Sequence, residues 1–297
     1  MVDSAVWSAR VARAAPVVFV FLWSTGFVVA RYATDDAGPL TFLAVRLLIV
    51  AAILAVVARS MSSDRPTRAE AGWLAVTGIL MHAVYLGGVF IAVDHGLPSG
   101  VGALIAGLHP VITSLLAGRV LGERLRRIQW AGVALGFVGV VAVVTDRLLA
   151  KSIGVSAGPL LASSLSTLGM SAGTLLQRQR CSNAPLVWGS TVQYAAAAGV
   201  LWAAAIGVEG IDIAFTASTW FSLAWSILVL SLAAVLILMW LLQRQAASTV
   251  SSLFFLTPAL STVEGAILFD ERFGVLAFVG LATALVGVAL VTRTRAA

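Results

Sequence analysis

Charge is scarce in this chain, so each polar group inside an apolar run invites a chemical reading. Arg46 lies eight residues into one such run, "PLTFLAVRLL". A planar guanidinium at that depth suits a carboxylate or phosphate clamp, and its structural alternatives are snorkelling to the surface or tethering backbone carbonyls. Glu264 interrupts "LTPALSTVEGAILFDER", six residues after Pro258. A carboxylate there can bind a proton or a substrate amine, alone or with His109 or Arg46, or can pair with a basic residue such as Arg31 or Arg147. His82 and His109 fall near the middle of their runs, where imidazole either relays a proton or sits neutral between helices.

Trp23, Tyr85, Trp188, Gln193 and Trp240 add large apolar surfaces with polar tips, as do Tyr194 and Gln243. Trp23 stands beside Ser24, Thr25 and Gly26, which suits a cavity wall; Trp73, Trp130 and Trp220 read as interfacial aromatics. An aromatic cavity with few charges fits a zwitterionic, neutral or amphipathic substrate. Three histidines without a carboxylate at ligand spacing, and no H-E-x-x-H run, give no metal site; one cysteine, Cys181, gives no thiolate cluster. No cofactor is implied. No Walker-type phosphate loop is present, and no nucleophile, base and oxyanion donors stand together, so the reading is not an enzyme.

These residues need elements that hold them at membrane depth. The 297 residues are 60% hydrophobic and only 11% charged, too apolar for a soluble domain of this length. Breaks at charge, Pro and Gly clusters delimit ten candidate spans: 15–33, 38–59, 71–93, 98–118, 127–145, 154–176, 185–207, 219–242, 246–268 and 274–292. Each is near the ~20 residues that cross a ~30 Å hydrocarbon layer. The run after Arg10 and Arg13 is too long for a signal-peptide core and reads as an uncleaved first span. With the N-terminus inside, fourteen Lys and Arg fall in inner segments and four in outer ones, leaving Arg46 within a span. The expectation is an all-α integral membrane protein of the plasma (inner) membrane, multi-pass, with both termini cytoplasmic. The net charge of +6 belongs to basic loops facing the cytoplasm, and nucleic acid is not an expected partner.

The chain also writes one phrase twice. Residues 101–144 slide onto 249–292 without a gap, laying Leu108, Pro110, Glu123, Arg124, Gly132 and Gly139 on Leu256, Pro258, Glu271, Arg272, Gly280 and Gly287. Upstream, Arg46 meets Gln193 once one residue is dropped, and Leu116 stands where the second copy has Glu264. Five spans per copy is an odd number, so the copies are inverted. Such repeats place a binding site between the halves near the midplane and open it to each side in turn; the alternative is a pseudo-symmetric scaffold without transport. Gly132, Gly136 and Gly139, with Gly280, Ala284 and Gly287, give the fifth and tenth spans small-residue faces for close packing. Pro110 and Pro258 are expected to bend their spans.

Through "LWSTGFVVARY", "PLTFLAVRLL", "GLHPVITSLLAGRVLGERL" and "FLTPALSTVEGAILFDERF", the chain resembles the drug/metabolite transporter superfamily, ten-span type with two EamA-like domains. The resemblance covers nearly the whole chain and divides it into repeats at 12–147 and 154–295. It implies a secondary transporter, often an exporter, of small organic molecules such as amino acids, other metabolites or drugs. It also implies a central cavity from spans 1–4 and 6–9, with spans 5 and 10 peripheral. His109 departs from the small polar residue usual before the span-4 proline. Substrate-binding candidates are Trp23, Arg46, His82, Tyr85, His109, Trp188, Gln193 and Trp240; proton-coupling candidates are Glu264 and His109. The competing readings are an intramembrane enzyme assembled across helices, or a receptor or assembly factor with the same shell.

Overall fold

In the computed structural model, residues 2–33, 36–61, 64–97, 102, 105–149, 157–257, 260 and 275–293 are described. Glu264, Pro258 and Glu271 lie outside them, as do the side chains of Arg31 and Arg147. The described chain is helical: α1 (Val2–Ala33), α2 (Pro39–Ser60), α3 (Arg68–Asp94), α4 (His109–Val120), α5 (Arg127–Leu149), α6 (Ala157–Arg180), α7 (Leu186–Val208), α8 (Ala217–Arg244), α9 (Ala247–Ser252) and α10 (Val275–Arg293). Among the described residues the β-structure is one isolated bridge, Ala37 to Ile213. Helices α2, α3, α7 and α8 are long and apolar enough to cross a membrane.

Local chemistry sets the boundaries. Thr67 and Glu70 form a reciprocal capping box at the start of α3, and Thr216 caps α8 through the Thr219 amide. Gly96 and Gly122, with φ of 81° and 69°, follow α3 and α4 in the left-handed conformation that ends a helix without a Cβ penalty. Pro39 opens α2, where its missing N–H has no helical partner to lose. Pro110 does the same for α4. Instead of bending a continuous helix, it stands in the first turn of one that begins after a turn at Gly107–Leu108. Helix α1 starts upstream of the expected span and carries Arg10 and Arg13.

Two helices hold stretches in which the hydrogen bonds skip to the fifth residue, Ile79–Val84 in α3 and Ser226–Ala234 in α8. Such a bulge adds a residue to the turn and re-aims the side chains around it. The register that lays Arg46 on Gln193 also lays Ile79 on Ser226 and Val84 on Ser231. Periodicity alone does not reveal the bulges, since apolar residues surround them on all faces.

The packing pairs helices across the chain. α2 runs along α7, α5 along α10, and α4 meets α9. α3 packs on α6 and α7, while α1 and α2 pack on α8. The α5–α10 contact is backbone-close. A methyl group on Gly139 would lie 2.5 Å from the Ala284 amide nitrogen, and one on Gly132 2.7 Å from the Gly287 carbonyl. A buried cluster of Phe19, Phe42, Leu43, Leu47, Tyr194, Leu238 and Phe255 fills the centre. Val138, Leu161, Phe278 and Val286 are exposed on the outside, where a bilayer rather than water makes their exposure favourable.

Two carboxylates join distant segments at helix starts. Glu209, at the end of α7, accepts the Leu40 amide at 2.9 Å and the Thr41 amide at 3.1 Å, satisfying donors that α2 leaves unpaired. Glu123, after α4, accepts the Ala247 amide at 2.8 Å and the Ser248 hydroxyl at 2.7 Å at the start of α9. Around Glu209 the α1–α2 and α7–α8 connections are laced together: Gly38 donates to the Asp212 carbonyl, Ala214 to the Asp36 carbonyl, and the Thr216 hydroxyl to the Asp36 carboxylate.

Candidate functional site

Two cavities adjoin at the centre and share one wall, the near-parallel rings of Trp23 and Tyr85, 6.4 Å apart at 18°. α1 supplies Trp23, and α3 presents Tyr85 at the residue where its bulge ends.

The larger cavity, about 50 Å³, is lined by Arg46, Gly26, Leu86, Phe90 and Leu230 besides the shared rings. By the ~10–15 Å³ that one water needs, it holds roughly three to five. Arg46 is 3% exposed and does not reach the surface. Its Nε donates to Ser231 Oγ at 3.0 Å, and the Ser231 carbonyl accepts the Tyr194 hydroxyl at 3.0 Å. Among the described residues no carboxylate lies within ion-pair distance of this guanidinium. Its terminal nitrogens make no hydrogen bond to a described residue. A buried cation with an open fork is a receptor for a planar anion.

The smaller cavity, about 10 Å³, is lined by His109, Thr167, Met170, Phe254, Ala106 and Thr257, again with Trp23 and Tyr85. His109 Nδ1 has two hydroxyl neighbours, Ser171 at 3.0 Å and Thr113 at 3.3 Å. The Ser171 hydroxyl donates to the Thr167 carbonyl at 2.9 Å, so toward His109 Nδ1, 3.0 Å away, Ser171 is the acceptor. With the proton on Nδ1 to serve Ser171, neutral His109 leaves Nε2 bare. That Nε2 and the Thr257 hydroxyl are both buried, and neither has a hydrogen-bond partner among the described residues. Buried polar atoms without partners are costly and point to an absent third party. Phe254 packs edge-on to both His109, 4.9 Å away, and Trp23, 5.3 Å away, fixing this wall. The repeat register lays His109 on Thr257, so equivalent positions of the two copies meet at one cavity. Both are served by interrupted helix: α4 starts at His109, and a tight three-residue turn, Leu253–Phe255, follows α9.

Trp23, Arg46, Tyr85 and His109 thus come together. His82 and Gln193 stand in a neighbouring polar seam. The His82 ring stacks on Tyr194 at 4.5 Å, and Gln193 donates to Gln177 Oε1 at 2.8 Å beside a separate pocket with Ser190 and Gln243. Trp188 and Trp240 line none of these three pockets and stack under Arg59 and Arg65 and under Arg244 respectively. Sequence reasoning missed Ser231, Ser171, Thr167, Phe254 and Thr257. Only Thr257 had a usable signal, its place opposite His109 in the repeat. Among the described residues no group of three His, Cys, Asp or Glu is placed to hold a metal ion.

Residues 14–145 and 157–293 each match the EamA-like transporter family. The chain belongs to that family. Its four described helices that are long and apolar enough to cross a membrane fit a family of membrane transporters. It is 25% identical over 281 residues to the "Probable amino-acid metabolite efflux pump" of Escherichia coli (strain K12), covering 90% of each chain. A match of 28% over 120 residues to the "Uncharacterized inner membrane transporter YedA" of the same organism takes in 40% of this chain, and it spans only 39% of that relative's length. A solved crystal structure shares the fold, with a TM-score of 0.78 at 20% identity over 94% of this chain and 95% of that one.

Proposed function

We propose that this transporter is an exporter of small amphipathic or amino-acid-like metabolites, working by alternating access between two inverted five-helix halves. The observation that carries the reading is the pair of buried polar atoms, His109 Nε2 and Thr257 Oγ1, without a hydrogen-bond partner among the described residues, on two residues that line one cavity from the two copies. A substrate N–H or O–H satisfies Nε2, and its carboxylate suits the open fork of Arg46. The aromatic walls take the apolar body. The E. coli relative named as an amino-acid metabolite efflux pump supports the same substrate class.

Ten spans with both termini cytoplasmic agree with the arginine distribution. The inverted arrangement is supported by packing that is unchanged when the halves are exchanged: α2 with α7, α4 with α9, α5 with α10, and α3–α6 matched by α8–α1. Glu209 and Glu123 then act as latches at opposite membrane faces, each half lending one carboxylate to a helix start in the other. Opening toward a face releases the latch there. Proton coupling through Glu264 and His109 completes the proposal, with the bare Nε2 as one landing point.

The test is transport of labelled amino acids and amphipathic metabolites into inverted membrane vesicles and proteoliposomes holding this chain alone. Accumulation that tracks a pH gradient and is lost in Glu264→Gln supports the coupled exporter. Transport with an unchanged pH profile in that variant removes Glu264 from coupling. Absence of flux across a broad panel removes the exporter reading.

A further inference from the structure

Trp188 carries two cations. The guanidinium carbons of Arg59 and Arg65 each lie 5.5 Å from its ring centroid, so they are at most 11 Å apart. Arg59 belongs to the last turn of α2, Arg65 to the α2–α3 connection and Trp188 to the start of α7. The site is therefore built from both family-matched regions, across the seam where α2 runs along α7. Cation–π attraction offsets part of the repulsion between the like charges but neutralises neither.

Among the described residues the chain pairs no carboxylate with these cations. Both arginines are exposed, and no described carboxylate lies within ion-pair distance of either. Between residues 59 and 246, the acids on this arginine-rich face are Asp64, Glu70 and Glu123. Glu70 is engaged by Thr67, and Glu123 by the start of α9. Asp64 alone remains, against ten arginines from Arg59 to Arg244 on that face. One acid against ten arginines leaves most of that charge to be balanced from outside the chain.

The surface beside Arg59 says what brings it. Ile49, Ala52 and Val56 precede Arg59 at helical spacing on one exposed stripe of α2. From residue 49 to residue 59 the helix rises about 15 Å, half of a ~30 Å hydrocarbon layer. A charged pair at the foot of an apolar stripe of that length has the shape of one phospholipid, headgroup and chain.

We infer that Arg59, Arg65 and Trp188 form a headgroup site for an anionic phospholipid, its phosphodiester shared between the two guanidiniums and one acyl chain lying along Val56, Ala52 and Ile49. Arginine–phosphate hydrogen bonding is bidentate and strong, and basic sites at helix ends on this side of a membrane are suited to such lipids. A lipid held there ties α2 to α7, so membrane composition would reach the contact on which the halves move.

Native mass spectrometry and thermal unfolding of the purified full chain test this with phosphatidylglycerol, phosphatidylcholine or inorganic phosphate added. Phosphatidylglycerol should be retained about tenfold better than phosphatidylcholine and should raise Tm. Arg59→Gln with Arg65→Gln should bring its retention down to the phosphatidylcholine level. Arg124→Gln with Arg126→Gln, in the α4–α5 connection, should leave it high. Trp188→Leu, which keeps both charges, should give an intermediate loss and serves if the double variant does not fold. Equal retention of the two lipids, or full retention in the Arg59/Arg65 double variant and in Trp188→Leu, overturns the site. A control pair that loses as much reduces it to diffuse surface charge and also overturns it. Stabilisation by inorganic phosphate alone replaces the lipid with a soluble anion.

Discussion

The Glu209 carboxylate and the Thr41 residue meet twice, through the Thr41 amide at 3.1 Å and its hydroxyl at 3.2 Å, although 168 residues separate them. One acid at the end of α7 thereby caps α2 and holds two connections together. Glu209→Gln keeps the shape but weakens charge-assisted bonds, and should cost about 1–2 kcal/mol of stability by the usual worth of caps and helix-end charges. With Ile213→Cys in a Cys181→Ser background, it should also speed labelling by an impermeant thiol reagent from that face. Glu123→Gln should not speed labelling there. Equal labelling in all three proteins would show that Glu209 is a cap without a gating role.

His109 and Thr257 are expected to act on binding rather than folding. Thr257→Val preserves volume and removes the hydroxyl, so KM should rise about fivefold to tenfold, the worth of one hydrogen bond of ~1–1.5 kcal/mol. Since the hydroxyl has no partner to strand among the described residues, thermal stability should not fall. Proteoliposome kinetics beside an unfolding scan separate the outcomes, and a large drop in Tm with unchanged KM would make Thr257 structural.

Arg46→Lys replaces a fork by a point charge and should weaken transport of carboxylate-bearing substrates by an order of magnitude or so. Ser231→Ala removes the acceptor that orients Nε and should give a smaller change in the same direction. Normal kinetics in Arg46→Lys and in Arg46→Gln would leave the guanidinium without a role in the substrate's path.

Gly139→Val and Gly287→Val should each disrupt the α5–α10 contact, because their new side chains would meet backbone and not flexible side-chain ends. Overpacking of this kind costs roughly 1–3 kcal/mol or more. The expected result is lower Tm and lower membrane yield, with KM unaltered in whatever protein survives. Gly199→Ala, where nothing lies within 4 Å, is the neutral control.

Cys181 lies in the α6–α7 connection, buried and 3.8 Å from the Thr77 hydroxyl. Burial pushes its thiol above the ordinary 9.0, with Thr77 opposing the shift and Glu70 adding to it. An acid whose folded pKa is raised stabilises the fold below the unfolded-state value and loses that contribution as pH climbs through the folded one. Alkylation should therefore be slow at neutral pH and accelerate on unfolding. Cys181→Ser should flatten the alkaline end of the pH–stability curve. Rapid alkylation of the folded protein at pH 7 would contradict this.

Helix-forming runs, the doubled phrase and the depth of Arg46 were legible because each rests on local composition or on self-comparison within the chain. The glycines of α5 and α10 were legible for the same reason, since spacing on one helix face predicts close approach. What stayed hidden depends on partners distant in sequence. Nothing about Ser231 marks it as the acceptor for Arg46, and Phe254 is one aromatic among thirteen phenylalanines. The wider turns of α3 and α8 leave no periodic trace in uniformly apolar sequence, yet they fix where Tyr85 and Ser231 stand. Trp188 and Trp240 were candidates by residue type alone, and the arginines stacked on them were not visible in the sequence.

The wall of Trp23 and Tyr85 belongs to two cavities at once, and this has a kinetic consequence. Rings pushed one way to enlarge one chamber are pushed into the other. Two small compounds, one seeking the guanidinium and the other the imidazole, would then exclude each other while touching no common polar atom. Their mutual inhibition should look competitive. A single longer molecule that parts the rings and occupies both chambers escapes this antagonism, so the partition acts as a ruler for substrate length.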